Sequence, residues 1–308
     1  MTQPTAAAPR SGAGRFTALA LLLILATLWG GSYSFIKIGV ETIPPVTLIA
    51  ARTLLAGAIL LVVIRWRGLR LPRDLAIWRL FLAQACLNSV LPFTLIAWAE
   101  RSVEAGLATI LSSTSPIFVV LLGLLAGTGE RLSPLKLAGI GSGLAGTLLI
   151  VGVEAMAGFG ADLAAQLALV AASLCYGAAA LFGRHFKGLD PIMPAAGSLI
   201  CGAMILIPLS LVVDRPWTLS PSGASIQALL ALSVFSTALA FVIYFRLIAR
   251  LGSVATTSVA YLRVPTGVLI GMIFLGESLA PTAWGGLVLI VGGVLAMTLP
   301  VRRHRNPT

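Results

Sequence analysis

Ten apolar runs, separated by short connections that are basic only on alternate turns, fill most of this 308-residue chain. A bilayer core about 30 Å thick takes roughly 20 residues of helix, at about 1.5 Å rise each, to cross. Runs of that order begin near Phe16, Pro45, Leu75, Val103, Pro134, Leu163, Pro191, Ser225, Ser253 and Thr282. The expected fold is therefore an all-α membrane protein with ten transmembrane helices. Composition excludes a large water-soluble core: 58% of the residues are hydrophobic and 10% are charged, and mean hydropathy is +1.01. Soluble domains carry about 25% charged residues.

Lys and Arg near span ends are retained on the cytoplasmic side. With the N-terminus inside, sixteen basic residues fall in cytoplasmic segments, from Arg10 and Arg15 through the Arg65 to Arg79 cluster to Arg302, Arg303 and Arg305. Lys37, Arg101 and Arg215 fall outside. This asymmetry predicts a multi-pass inner-membrane protein with both termini cytoplasmic. The first run is expected to be a retained helix, because it resumes through Ile38 and offers no A-x-A cleavage site. The net charge of +11 is assigned to loops beside anionic lipid headgroups rather than to nucleic-acid binding. Cys86, Cys175 and Cys201 all lie in apolar runs, as packing residues rather than a disulfide framework.

The two halves of the chain resemble each other. A shift of 147 residues lays Gly30 on Gly177, Phe35 on Phe182, Pro44 on Pro191 and Gly146 on Gly293; a shift of 149 lays Arg101 on Arg250 and Pro116 on Pro265. Each fourth span of a half then closes on a Gly-Glu pair, Gly129-Glu130 and Gly276-Glu277, with two extra residues before the first pair. Five spans per copy is an odd number, so the second copy enters the membrane upside down, an architecture that places a substrate site near midplane between the copies. The expected organisation is a cytoplasmic tail over 1–15, a first repeat over 16–153, a periplasmic linker over 154–161, a second repeat over 162–299 and a tail over 300–308.

The Trp29-Gly30 pair followed by Phe35 and Lys37, the Pro45 and Arg52 opening of the second span, and the Gly-Glu endings of the fourth and ninth spans resemble the EamA-type repeat of the drug/metabolite transporter superfamily. The resemblance covers nearly the whole chain. It implies ten helices and export or exchange of small metabolites, and lies nearest to the bacterial amino-acid exporters, those for aromatic amino acids included. Exchange of phosphorylated metabolites or nucleotide sugars, and multidrug export, are the alternatives; a channel or a membrane enzyme ranks below them.

Counting helical rise from the span ends, Arg263 lies near midplane of the ninth span and Arg52 shallower in the second. An intramembrane charge is by default a functional-site hypothesis; Arg52 is read either as a ligand group or as a framework residue. Every Asp and Glu falls near a span end, Glu100 and Glu277 among those at outer ends. No acidic relay is expected, and facilitated transport follows. Two cations without intramembrane acids favour a substrate that brings its own carboxylate or phosphate. Pro116 and Pro265 cannot donate to the carbonyls of Ser112 and Tyr261, which makes them candidate hinges and those carbonyls candidate ligand acceptors. Trp29 is a candidate aromatic wall, and Asn88, Gln84, Tyr176, Tyr244 and Tyr261 are polar candidates that interhelical hydrogen bonds would equally explain.

The fifth span carries Gly139, Ser142, Gly143 and Gly146 on one face, and its repeat partner has Gly285, Gly286, Gly292 and Gly293. Small faces of this kind permit close helix contact. His185 and His304 lie in a loop and a tail, and neither a catalytic nor a metal-ligand spacing is present. The expected partners are a small-molecule substrate and membrane lipids, without nucleic acid, cofactor or metal, in a monomer or weak homo-oligomer.

Overall fold

A backbone surrounded by hydrocarbon must satisfy its own hydrogen bonds, which leaves helices for a chain this apolar. The computed structural model describes residues 12–127, 134–156, 160–244, 246–247 and 259–298, and among them there is no strand. The helices are α1 (Gly12–Gly39), α2 (Pro45–Trp66), α3 (Leu75–Ala99), α4 (Ala105–Leu125), α5 (Pro134–Met156), α6 (Gly160–Phe182), α7 (Ile192–Val213), α8 (Gly223–Tyr244), α9 (Val259–Leu275) and α10 (Pro281–Thr298). Seven carry apolar stretches of 21 to 25 residues; α5, α9 and α10 carry shorter ones within the described residues. The protein is an all-α membrane protein of two inverted five-helix repeats. Trp66, Trp98, Trp217 and Trp284 are exposed, at the span ends where an interfacial belt needs them.

One end of the bundle, called upper below, gathers the connections 40–44, 100–104, 214–222 and 276–280; the lower end gathers 67–74 and 187–191. The principal helix pairs are α5 with α10, α2 with α7, α1 with α9 and its repeat image α4 with α6, and α3 with α6 and its repeat image α1 with α8. Exchanging the two copies maps this set onto itself. Side-chain detail follows the same operation. A Cβ on Gly30 would stand 2.8 Å from the Gly267 nitrogen, and one on Gly177 would stand 2.8 Å from Cβ of Phe118; the 147-residue shift relates the first glycines and the 149-residue shift relates their partners. Glycine is required at both crossings because the neighbouring helix occupies the space of a side chain.

The fourth-span endings correct the sequence alignment. Gly276 adopts φ 67°, and the Glu277 N–H donates back to the Gly271 carbonyl at 3.3 Å, a left-handed glycine closure of α9. Its structural counterpart is Gly127, at φ 63°, and not Gly129. The two extra residues therefore follow the end of α4 instead of lengthening it. Gly129 and Glu130 lie outside the described residues.

The small faces of α5 and α10 meet. A Cβ on Gly146 would lie 2.8 Å from the Gly286 carbonyl, and one on Gly293 would lie 2.8 Å from the Gly143 nitrogen, while the Ser142 hydroxyl donates to the Leu289 carbonyl at 2.8 Å. Overpacking of such a contact costs about 1–3 kcal/mol or more. Gly293→Leu is expected to abolish the monodisperse peak on size-exclusion chromatography in detergent. Gly292→Leu is the control, since its Cβ would meet nothing within 4 Å; equal behaviour of the two variants would show that the α5–α10 contact is not required for folding.

Candidate functional site

A cavity of about 750 Å³ lies between the repeats, lined by residues of α1, α2, α3, α4, α6, α7, α8 and α9. It reaches the lower end past Lys187, Gly188 and Leu189. Two of its walls are shaped by π-helical turns, Cys86–Val90 within α3 and Val234–Leu239 within α8. Such turns insert a residue into the α ladder and re-aim the side chains around it. Asn88 from the first, and Ser236 and Thr237 from the second, line the cavity. Asn88 and Thr237 are related by the 149-residue shift, so applying the repeat to Asn88 was the sequence signal that would have found Thr237.

Two arginines reach the cavity and differ in how they are held. The Arg52 guanidinium stands 3.8 Å above the Phe93 ring, and its Nε donates to the Thr237 hydroxyl at 2.9 Å. That hydroxyl in turn donates to the Leu232 carbonyl five residues earlier, at 2.8 Å. Arg52 is only 5% exposed and bridges α2, α3 and the π-turn of α8. Arg263 also lines the cavity, but its buried Nε has no hydrogen-bond partner. Gln84 Oε1 and Ser236 Oγ are buried without partners too, and both residues line the same cavity. Among the described residues no Asp or Glu lines it.

Trp29 lies on the cavity wall against Tyr244, with ring centroids 5.4 Å apart, and edge-on to Phe241 at 6.5 Å. Across from this group Tyr176 packs edge-on to Phe93 at 6.4 Å. The cavity thus gathers Arg263, Arg52, Trp29, Asn88, Tyr176 and Tyr244, together with Tyr33, Phe93 and Lys187, which sequence reasoning did not single out as site residues. Tyr33 and Phe93 carry no pattern that separates them from core aromatics, and Lys187 read as one more basic loop residue.

Ser112 is not brought to the cavity. It is fully buried, and its carbonyl accepts the Ser115 hydroxyl at 2.9 Å. The reason is that α4 breaks at Ser113-Thr114, so Pro116 sits in the first turn of a new helical segment, Ser115–Leu125, where a proline costs nothing. The expectation that Pro116 interrupts a continuous helix is corrected accordingly. Pro265 does lie inside its helix. The Tyr261 side chain lies outside the described residues.

The upper end is closed by polar ties. Lys37 Nζ donates to the carbonyls of Glu100 and Val103, at 2.8 Å each. The Glu277 carboxylate accepts from the Ala105 N–H at 2.6 Å and the Gly106 N–H at 2.8 Å, binding the start of α4 from the other repeat. Asp214 does the same for α2, accepting from the Thr47 N–H at 2.8 Å. Anions are favoured at these helix N-termini, where backbone N–H groups have no partner within the helix. Glu100 stands apart: it follows the end of α3 as the sequence suggests, yet it is 0% exposed, and both carboxylate oxygens lack a partner. Glu100 is thus at a span end as expected, and its enclosure is what the sequence did not reveal.

An all-helical, internally inverted bundle around a cavity between the repeats, open at one end, defines a membrane carrier of the transporter class. The EamA-like transporter family matches residues 16–152 and 163–299, and the chain belongs to that family. The chain is 28% identical to the inner membrane transporter YedA of Escherichia coli K12, over 90% of this chain and 89% of that one. A transporter of Archaeoglobus fulgidus is 30% identical, with 88% and 94% covered. A probable terminal-alkyne amino-acid exporter of Streptantibioticus cattleyicolor is 27% identical, with 93% and 96% covered. A solved crystal structure overlaps with a TM-score of 0.65 at 21% identity, covering 94% of this chain and 99% of that chain, which is a likeness of fold.

Proposed function

We propose that this transporter exports small carboxylate-bearing metabolites, amino acids above all, from the cytoplasm by alternating access across the inner membrane. The observation that carries the reading is the buried, unpartnered Nε of Arg263 in a cavity whose described lining contains no acid. A guanidinium in a low-dielectric site lacks compensation until an anion arrives, and a carboxylate fits its planar fork. The Trp29, Phe241 and Tyr244 rings on the same cavity lining suit an apolar or aromatic side chain, and the probable amino-acid exporter among the relatives is consistent with that substrate class. Arg52 is assigned to the framework, with Thr237 and Phe93 already holding it. Pro265 and the break before Pro116 are assigned as hinges. Lys187 and Arg52 on the same lining favour a second reading, in which a phosphorylated metabolite spans several cations.

Competition for uptake into proteoliposomes separates the two. Decarboxylated amines are expected not to compete with labelled amino acids, and N-blocked acids to compete weakly. Preferential competition by phosphorylated sugars would select the second reading, and competition by the amines would overturn the carboxylate site.

With both termini cytoplasmic, the lower end faces the cytoplasm and the described conformation is open inward. A cysteine at Ser220, exposed at the upper end, is expected to react with an impermeant thiol reagent on intact spheroplasts; one at Arg70, exposed at the lower end, is expected to be protected. Reaction of Arg70→Cys alone would reverse the orientation.

A further inference from the structure

Glu100 has a more demanding environment than any other acid among the described residues. It is fully enclosed, and neither oxygen meets a donor. The charged groups that face it are Lys37 on α1, Arg52 on α2 and Glu277 beyond α9. None neutralises it at contact distance. Lys37 spends its ammonium on two backbone carbonyls, Arg52 is held by Thr237 and Phe93, and Glu277 adds negative charge nearby while engaged with α4. An ionised carboxylate left unpaired in such a place is costly, and the group neutralises instead.

We propose that Glu100 is a proton-binding site and that closure of the upper end requires its carboxylate to take up one proton from solution. The carboxyl so formed is neutral and can be enclosed; when the upper end opens, the group meets solvent, releases the proton and resists re-enclosure. Burial pushes the Glu100 carboxyl well above the usual carboxylate range, opposed in part by Lys37, which agrees with the geometry. Because the closed state holds the proton more tightly than the open state, closure is fully favoured below the ordinary glutamate value of about 4.3. It is lost as pH rises toward the raised value, by up to about tenfold in the closed-to-open ratio per pH unit. The site lies outside the cavity and stands whether or not amino acids are the substrate.

Two measurements on the purified full-length protein test this without a transport assay. Infrared spectra at neutral pH are expected to contain a protonated-carboxyl stretch that disappears in Glu100→Gln. Spin labels at Arg101 and Ala280, in a background lacking Cys86, Cys175 and Cys201, report the upper-end separation. The long-distance fraction is expected to rise with pH above the ordinary glutamate value of about 4.3 in the wild type, by up to about tenfold per unit, and to stay low and flat in Glu100→Gln, which imitates the protonated form. Glu100→Asp, which still titrates, is expected to keep a pH response. Absence of the band, a pH-independent wild type, or an undiminished response in Glu100→Gln would each overturn the proposal.

Discussion

Arg263→Ala is expected to reduce amino-acid transport in proteoliposomes to near background while leaving a folded, extractable protein. The substrate carboxylate would lose a charge-assisted hydrogen bond in a site of low dielectric, where removing one partner costs about 2–5 kcal/mol, roughly 30-fold to several thousand-fold in affinity. Folding is spared because the Nε already lacks a protein partner, so truncation strands no protein acceptor there. Lysine keeps the charge but loses the planar fork, and Arg263→Lys is expected to retain partial activity with weakened apparent affinity. Arg52→Ala offers the contrast. Its guanidinium joins three helices through Thr237 and Phe93, so its loss is expected to appear in thermal stability as well as in transport. Normal transport by Arg263→Ala would make that guanidinium structural and remove the main support for a carboxylate site.

Glu277→Ala is expected to release the upper end. Its carboxylate makes two short bonds, to the Ala105 and Gly106 N–H groups, across the boundary between repeats. Hydrogen bonds to a charged group are worth about 1.5–3 kcal/mol each, so losing even one shifts the open-to-closed ratio by roughly 10- to 150-fold. Spin labels at Arg101 and Ala280 should then show a dominant long-distance population at a pH where the wild type is closed. Glu277→Gln keeps one acceptor oxygen and is expected to fall between the two. An unchanged distance distribution in Glu277→Ala would mean that Lys37 and the apolar packing close this end unaided. A gate held by a few polar ties is consistent with a carrier that must break them in every cycle.

The helices, their inversion and the small-residue face joining α5 to α10 were legible because they depend on local rules. Span length follows from bilayer thickness, and an odd number of spans per copy dictates inversion. Glycines recurring on one face mark where another helix comes close, as the Gly146–Gly286 and Gly143–Gly293 approaches bear out. The interest of Arg263 was legible in a similar way, since helical rise put it far from the span ends, and it does line the cavity. Which residues share the cavity was partly legible: Trp29, Asn88, Tyr176 and Tyr244 line it, whereas Ser112 is enclosed, because the α4 break turns it away.

Sequence by itself determined that this chain crosses a membrane repeatedly, that its halves are inverted copies, and that one arginine lies well inside the ninth span. Hydrophobic length, repeat parity and residue depth are properties of the chain taken one segment at a time. Only the tertiary structure decided that Arg52 is captured by Thr237 and Phe93 while the Arg263 Nε is not, that α3 and α8 each carry a π-turn at the cavity, and that Glu277 reaches across to α4. It also decided that Glu100, at a span end where an acid would ordinarily meet water, is enclosed without a partner. Each of these depends on which side chains of distant segments arrive together and on how much solvent they exclude, and neither quantity is a property of any one segment.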